Sequence, residues 1–444
     1  MSAPTAPELL SVEAARAAGL AEAVLVGTER IAPAAALGRV VAGPVAARVS
    51  LPPWPNSAMD GYAIRAADTQ GATQDAPIQL QDIGDVRAGA APGVAVGPGN
   101  AARIATGARL PDGADAVVPV ELTTPLDAGG RPGARGRDAT GPLPAACLVH
   151  EVVPVGGSIR GEGSDLRAGV TVLEAGSALT PATVALVAGA GVEQVIVHRR
   201  PRVGVLATGD EVRGPGDPLG PAGIPDANGP GLRAQVTAAG GEAIDLGIAS
   251  DYLADVLKRL RGGIEVGADA LIVSGGVSVG PYDVVKTAME TIGRVDLWRV
   301  AVQTGKPFAF GTAPRPGGGS PILVFGLPGN PVSSAVTFEL FVRPAIRRLA
   351  GRRELLRATD RGVLGDAVTK SAGRRAFLRV IAERDAEGAP IRDDRGRVRI
   401  RLAGGQGSHV LSALAAADAL AIVPEADDAL PAGAEVALWW LDRD

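Results

Sequence analysis

The sequence predicts a multidomain α/β plus β protein: a central three-layer α/β domain with a mostly parallel sheet, flanked by β-rich subdomains. Three observations carry this. Residues 180–350 repeat a strand–loop–helix pattern, the signature of a parallel sheet covered on both faces. Residues 27–178 and 351–444 instead show short β-like runs punctuated by Gly, Pro and Asp. The length of 444 residues exceeds one ordinary domain and suggests roughly two to four.

Composition narrows the function. The apolar fraction of 46% supports large cores, and with aromatics at 3% these must be filled by Ala, Val, Leu and Ile. A formal charge of −4 is small for this size and argues against a nucleic-acid binder driven by bulk electrostatics. The single cysteine, Cys147, excludes an internal disulfide framework and lies in an apolar run that reads as packing. The N-terminus lacks a basic start followed by an apolar core, and no run of about 18 residues is apolar enough to span a bilayer. The expectation is a cytoplasmic protein.

Taken in order, residues 8–26 have helical spacing, with Leu9, Val12, Ala15, Leu20 and Val24 near one face. The β-like runs of the next stretch are RVVAGPVAARV (39–49), AARIAT (101–106), AVVPVE (116–121), CLVHEVVPV (147–155) and VTVLEAG (170–176). Residues 127–142 have almost no apolar content and read as an exposed loop; an anion site built from its three arginines is the alternative. RVGVLA (202–207), EAIDLGI (242–248), DALIVS (269–274) and ILVFGL (322–327) read as buried strands. Helical segments fall near 228–239, 251–261 and 283–291, and a long one runs from Asn330 to about Leu349. GTAPRPGGGSPI (311–322) reads as a turn between two strands. The last stretch is β-like again, and its Trp439 and Trp440 read as core or interface.

Four loops stand out: TGDE (208–211), SGGVSVG (274–280), TGKP (304–307) and GLPGNP (326–331). If the sheet is parallel, TGDE, Asp251, SGGVSVG and GLPGNP sit at strand C-terminal ends, the edge where open α/β sheets bind ligands. Asn330 suits an N-cap and Pro331 a first helical residue, so a helix N-terminus should face this crevice and favour an anion. Gly275, Gly276, Gly280, Gly326 and Gly329 would let backbone approach a ligand closely. Ser274, Ser278, Ser333 and Ser334 offer hydroxyls, although the last two also suit bonds within the helix's first turn. Lys286 and Lys306 suit charge-assisted contacts to phosphate. Taken alone, SGGVSVG equally describes a tight turn.

The same edge carries acids. Asp210, Glu211, Asp251 and Asp283 come from three loops, and carboxylates beside phosphate-binding turns imply an intervening Mg²⁺. Asp210, Asp251 or Asp283 taken singly also reads as a helix start. Elsewhere, NSAMDGYAIR (56–65) and RIATGARLPDGADAVVPVE (103–121) contain Asp60 and Thr106 in what local chemistry describes only as turns. His150, His198 and His409 show no HxH or HExxH spacing, and no GxxxxGK[ST] motif is present.

Together NSAMDGYAIR, RIATGARLPDGADAVVPVE, VGVLATGDEV, SGGVSVGPYDVVK, TGKPFAFG, GLPGNPVSSAVTFELFVRP and GGQGSHVLSALAAADALAIVPE resemble, in order, the molybdopterin molybdenumtransferases of the MoeA type, related to the E domain of gephyrin. The resemblance spans about residues 8 to 440. It implies insertion of molybdate into the dithiolene of adenylylated molybdopterin with release of AMP, dependence on Mg²⁺, and a homodimer. An adenylyltransferase that supplies the substrate is a further implied partner.

The resemblance also implies four subdomains: residues 27–48 with 150–178, residues 49–149, residues 1–26 with 179–350, and a barrel-like 351–444. The active cleft would lie between the second subdomain of one subunit and the third and fourth of its partner. This would bring Asp60, Thr106 and Ser408 to Glu211, Asp251, Asp283, Lys286 and Lys306. Ser274, Gly275, Gly276, Ser278, Gly280, Gly329, Asn330 and Pro331 would bind substrate, with Asp210, Glu211, Asp251 and Asp283 as the metal set. The family often has lysines where this chain has Arg299 and Gln303, and proline in place of Thr304. A molybdopterin adenylyltransferase and a non-catalytic scaffold of the same fold remain the alternatives.

Overall fold

The computed structural model describes residues 9–136, 142–276, 284–303 and 307–441. The N-terminal helix α1 (Val12–Ala21) is capped by Ser11, whose side chain accepts the Ala14 N–H. Its Val12 and Ala15 do not pack on the β-rich segments that follow them in sequence. They join the core of the central sheet.

That sheet is built from β1 (Arg202–Thr208), β2 (Glu242–Ala249), β3 (Ala270–Ser274), β4 (Arg294–Arg299), β5 (Pro307–Ala313) and β6 (Ile322–Leu327), in the order β2-β1-β3-β6-β5-β4. The first four strands in that order are parallel, and β5 and β4 add on antiparallel. The parallel reading holds for the four strands expected from sequence. The antiparallel edge strand β4 was not expected, because RVDLWR alternates charged with apolar residues and lacks a buried strand's continuous apolar run. The expected turn at 311–322 closes the β5–β6 hairpin.

Side-chain alternation divides the interior into two layers. Val203, Val205, Ile272, Leu323 and Phe325 face one core, shared with α1, with α2 (Asn228–Ala238) and with the helical rod after β6. Leu206, Leu271, Val273 and Val324 face the other, under α3 (Leu253–Glu265) and α4 (Val284–Ile292). The rod is not the single α-helix expected. It runs as α5 (Pro331–Thr337), a π turn (Phe338–Val342) and α6 (Arg343–Leu349). Pro344 has no N–H to return to the preceding turn, and a wider turn accommodates that loss. The turn carries Glu339 into the interior, where it meets Arg357 at 2.8 Å.

The flanking units have their own cores. In the small one, Val41, Val45 and Leu173 pack with Leu179, Val187, Val195 and Val197. The expected division between 178 and 179 therefore falls inside this core. The helix Pro181–Gly189 belongs to it, since helical periodicity does not say which sheet a helix will cover. The next unit is a six-stranded mixed sheet with Asn100–Ile104 and Ile78–Val86 at its centre and Gly61–Ile64 beside them, and Cys147 is fully buried in it. Within 127–136, Asp127 Oδ1 accepts the N–H groups of Gly129 and Arg131, a tight surface turn. Arg135 there is tied to Gln74 and to the Glu121 carbonyl.

The C-terminal unit is a closed barrel of β7 (Thr359–Leu364), β8 (Ala376–Ala382), β9 (Val398–Leu402), β10 (Ala419–Val423) and β11 (Glu435–Trp440), in the order β7-β9-β8-β10-β11. Trp440 lies in the barrel core, whereas Trp439, Phe377 and Leu420 join the central core. Segment 300–303 fastens barrel to sheet: the Gln303 N–H donates to the Arg375 carbonyl, and Gln303 Oε1 accepts the Ser371 N–H. Arg375 also pairs with Glu13 at 2.5 Å and Glu425 at 3.0 Å. Among the described residues no helix is long and apolar enough to cross a membrane.

One buried acid makes the second unit sensitive to pH. Asp82 sits at a register shift in strand Ile78–Val86; one of its oxygens accepts the Gly84 N–H and the other has no partner. Burial pushes its carboxyl up to about 6 from 3.8. Because the folded value lies above the unfolded one, its stabilising contribution is complete at low pH and is lost as pH rises through about 6. Asp82→Asn should therefore raise Tm at pH 7.5 by roughly 2–4 °C, after discounting for partial exposure, and change it little at pH 4. Equal shifts at the two pH values in thermal melts would refute the assignment.

Candidate functional site

The parallel register sets the site. Ala207 pairs with Ser274 and Ser274 with Leu327, while Thr208 pairs with Ala249, so four strands end at one level. Above that level lies a cavity of about 850 Å³. Its lining comes from Thr208, Gly209 and Glu211 after β1, Asp251 after β2, Ser274 to Gly276 after β3, and Gly329 to Pro331 after β6. Asp226, Asn228, Val284 and His409 complete the part of the lining that bears on the site.

A close approach explains Gly275. Gly275 has φ +107°, and a Cβ there would lie 2.6 Å from Thr208 Oγ1 and 2.7 Å from the Thr208 carbonyl oxygen. At Gly329 a Cβ would stand 3.6 Å from Gly275 Cα. The three turns touch through bare backbone, which no side chain at 275 would permit.

Asn228 ties the turns together. Its Nδ2 donates to Ser274 Oγ at 2.8 Å and to the Gly329 carbonyl at 2.7 Å. The buried Ser274 hydroxyl also lies 3.3 Å from the Pro328 carbonyl and 3.4 Å from Ser334 Oγ. Ser333 and Ser334 are buried and lie outside the cavity lining. Asn330 occupies the N-cap of α5 but makes no capping bond with its side chain. The Val332 N–H donates to the Ser408 carbonyl at 3.1 Å. The barrel thus occupies part of the helix terminus that the sequence suggested was free, because a backbone carbonyl is already seated there.

The acids are only partly gathered. The Asp210 N–H donates to Asp251 Oδ2 at 3.3 Å, and the Asp251 N–H returns to Asp210 Oδ1 at 3.1 Å. This reciprocal clasp joins the turns after β1 and β2 and uses one oxygen of each carboxylate. Glu211 and Asp251 line the cavity; Asp210 does not. Among the described residues no three or more His, Cys, Asp or Glu side chains are placed to hold a metal ion. Lys286 lies outside the lining, 3.6 Å from Glu290 on its own helix. Ser278, Gly280, Asp283, Thr304 and Lys306 lie outside the described residues.

Asp60 and Thr106, read locally as separate turns, form one unit. Asp60 Oδ1 accepts the Thr106 N–H at 2.7 Å and its hydroxyl at 2.9 Å. Both residues are exposed and neither lines the cavity. Ser408 lies beside the lining, and its neighbour His409 reaches it. Their loop is held from within the barrel by the buried Arg379, whose Nη2 donates to the Gly405 and Gly407 carbonyls at 3.1 Å each. Burial holds the Arg379 guanidinium below its ordinary pKa.

The sequence reading missed Asp226, Asn228 and His409. Asp226 Oδ1 accepts the Gly229 N–H at 2.9 Å, so PDANG (225–229) carried a visible helix-entry signal whose second polar residue was left over. His409 was set aside because it lacks a second histidine at ligand spacing.

Residues 10–191 match the MoeA N-terminal region (domain I and II), 204–348 the probable molybdopterin binding domain, and 361–441 the MoeA C-terminal region (domain IV). A molybdopterin molybdenumtransferase 2 of Mycobacterium tuberculosis is 38% identical over 413 residues, covering 91% of this chain and 93% of its own. The chain belongs to the molybdopterin molybdenumtransferase family. The molybdopterin molybdenumtransferase of Haemophilus influenzae is 32% identical over 404 residues, 91% of each chain. A crystal structure of the molybdopterin biosynthesis MoeA protein of Pyrococcus horikoshii matches with TM-score 0.76 at 29% identity, covering 98% of this chain and 99% of its own.

The Asn228 linkage can be tested in this family member without turnover. Asn228→Ala leaves the Ser274 hydroxyl and the Gly329 carbonyl without their donor and should cost ~1–3 kcal/mol in urea unfolding. An unchanged urea midpoint would show that the linkage does not hold the turns together.

Proposed function

We propose that the protein inserts molybdate into the dithiolene of adenylylated molybdopterin and releases AMP. The observation that carries this is the meeting, at one sheet edge, of glycine-backed turns with Glu211 and Asp251. Bare backbone and hydroxyls can approach an anionic diphosphate closely, and carboxylates beside them would repel it without a cation between.

The carboxylates suit Mg²⁺ with one qualification. Among the described residues the Asp210–Asp251 clasp engages one oxygen of each carboxylate. The described residues offer no all-protein cage, and Mg²⁺ commonly takes one or two carboxylates with substrate phosphates and water. Asp251 and Glu211, with Asp210 behind them, would hold it. Bound there, it would neutralise charge on the phosphoanhydride as that bond breaks.

The chain's own groups do the positioning. The Ser274–Gly276 turn and Gly329–Pro331 bracket the diphosphate, and Asn228 fixes their separation. His409 presents an imidazole from the barrel side. Asp60 and Thr106, exposed and joined by a hydrogen bond, would complete the cavity of a second subunit in a homodimer. A cytoplasmic location belongs to the same reading. Neither the adenylyltransferase nor the scaffold alternative is favoured by relatives that match 91% of the chain.

Incubation with adenylylated molybdopterin, molybdate and Mg²⁺ should release AMP, measured by chromatography. Adenylate retained, while an active family member releases it in parallel, would reject the reading. Asp251→Ala and Asp60→Ala should each slow release by about two orders of magnitude or more with an unchanged circular dichroism spectrum. Wild-type rates would remove either residue from the site.

A further inference from the structure

Next to the cavity, and sharing Ala227, Asn228 and Pro331 with it, lies a chamber of about 360 Å³. It fills the gap between α2, the rod that starts at Pro331, and the barrel. Leu232 and Val336 line the helical side, while Leu411, Leu414, Leu420 and Leu441 line the barrel side. Gln235, Glu339 and Arg357 supply most of its polar groups. Gln235 is two helical turns beyond Asn228, about 10 Å along α2.

The polar groups define what the chamber can accept. Glu339 is already matched: Arg357 Nε donates to Oε2 at 2.8 Å, Arg357 Nη2 to Oε1 at 3.4 Å, and Gln235 Nε2 to Oε1 at 3.3 Å. A cationic ligand therefore finds no open carboxylate. Gln235 Nε2 also reaches the Ala335 carbonyl at 3.3 Å, and since both its partners are acceptors, the amide orientation is fixed. That leaves Gln235 Oε1 as an acceptor in a mostly apolar slot. The volume lies at the small end of ligand sites, enough for one bicyclic ring with its linker.

We propose that this chamber binds the planar, amino-bearing bicyclic heterocycle at one end of the substrate, with the attached phosphoryl group remaining in the adjoining cavity. The inference rests on the substrate class proposed above. Adenine and pterin stand at opposite ends of the diphosphate there and share this chemistry: a flat apolar face for the leucines and an exocyclic amino group to donate to Gln235.

Gly231 gives a test that leaves the fold intact. It lines the chamber from α2, and a Cβ built on it meets nothing within 4 Å. Gly231→Leu fills the chamber while removing a helix-interior glycine, a change that favours the helix. AMP and 6-hydroxymethylpterin are titrated separately into the full-length wild type and Gly231→Leu, with inorganic pyrophosphate as the ring-free control. One ring ligand should bind the wild type and lose tenfold or more in affinity in the variant, with pyrophosphate unchanged. Loss of AMP assigns adenine to the chamber; loss of the pterin assigns the other end.

Failure of both rings to bind the wild type, or binding of every ring ligand to the variant within twofold of the wild type, overturns the proposal. Turnover separates the two readings. A variant that releases AMP with wild-type KM rejects the chamber alone, whereas a wild type that releases none rejects the proposed reaction and leaves the ring titrations to be read on their own.

Discussion

The level at which four parallel strands stop governs most of what this protein can do. Because Ala207, Ser274 and Leu327 lie in one row, the turns that follow them have no choice but to meet. A slip of one residue in β3 would exchange Ile272 and Val273 between the two cores and lift Gly275 away from Thr208. Core packing thereby holds the ligand edge in register. The Asp210–Asp251 clasp and the Asn228 bridge then fasten turns that the sheet has already aligned.

Much of this was legible in the sequence because it was written in local patterns. Apolar runs ending in glycine turns gave three of the four parallel strands and their shared edge, and the fourth, Glu242–Ala249, was read from the strand–helix alternation. The residues that escaped depend on contacts between distant segments. Asp60 and Thr106 are 46 residues apart, and nothing in either turn announces the bond between them. Asn228 was explained by the helix it begins, so its side chain was not asked for a second purpose. Lys286 was read as a phosphate contact, and its i,i+4 spacing from Glu290, 3.6 Å away in the fold, was equally visible in the sequence.

Gln303 acquires a different meaning in three dimensions. The resemblance drawn from sequence implies a lysine at this position, so there it reads as a missing positive charge. In the fold its amide oxygen accepts the Ser371 N–H, a bond that an ammonium group has no acceptor to make. Gln303 thus fastens sheet to barrel, a junction reinforced by Arg375 with Glu13 and Glu425.

The central core draws on Val12 near one end of the chain and on Phe377, Leu420 and Trp439 near the other. On the ribosome, at about 5–20 residues per second, roughly 20–90 s separate the synthesis of these contributions. The two flanking units, whose cores close within residues 36–197, are complete long before that. The nascent chain must therefore carry α1 unpartnered past two finished units, and the central core is among the last parts of the molecule to close.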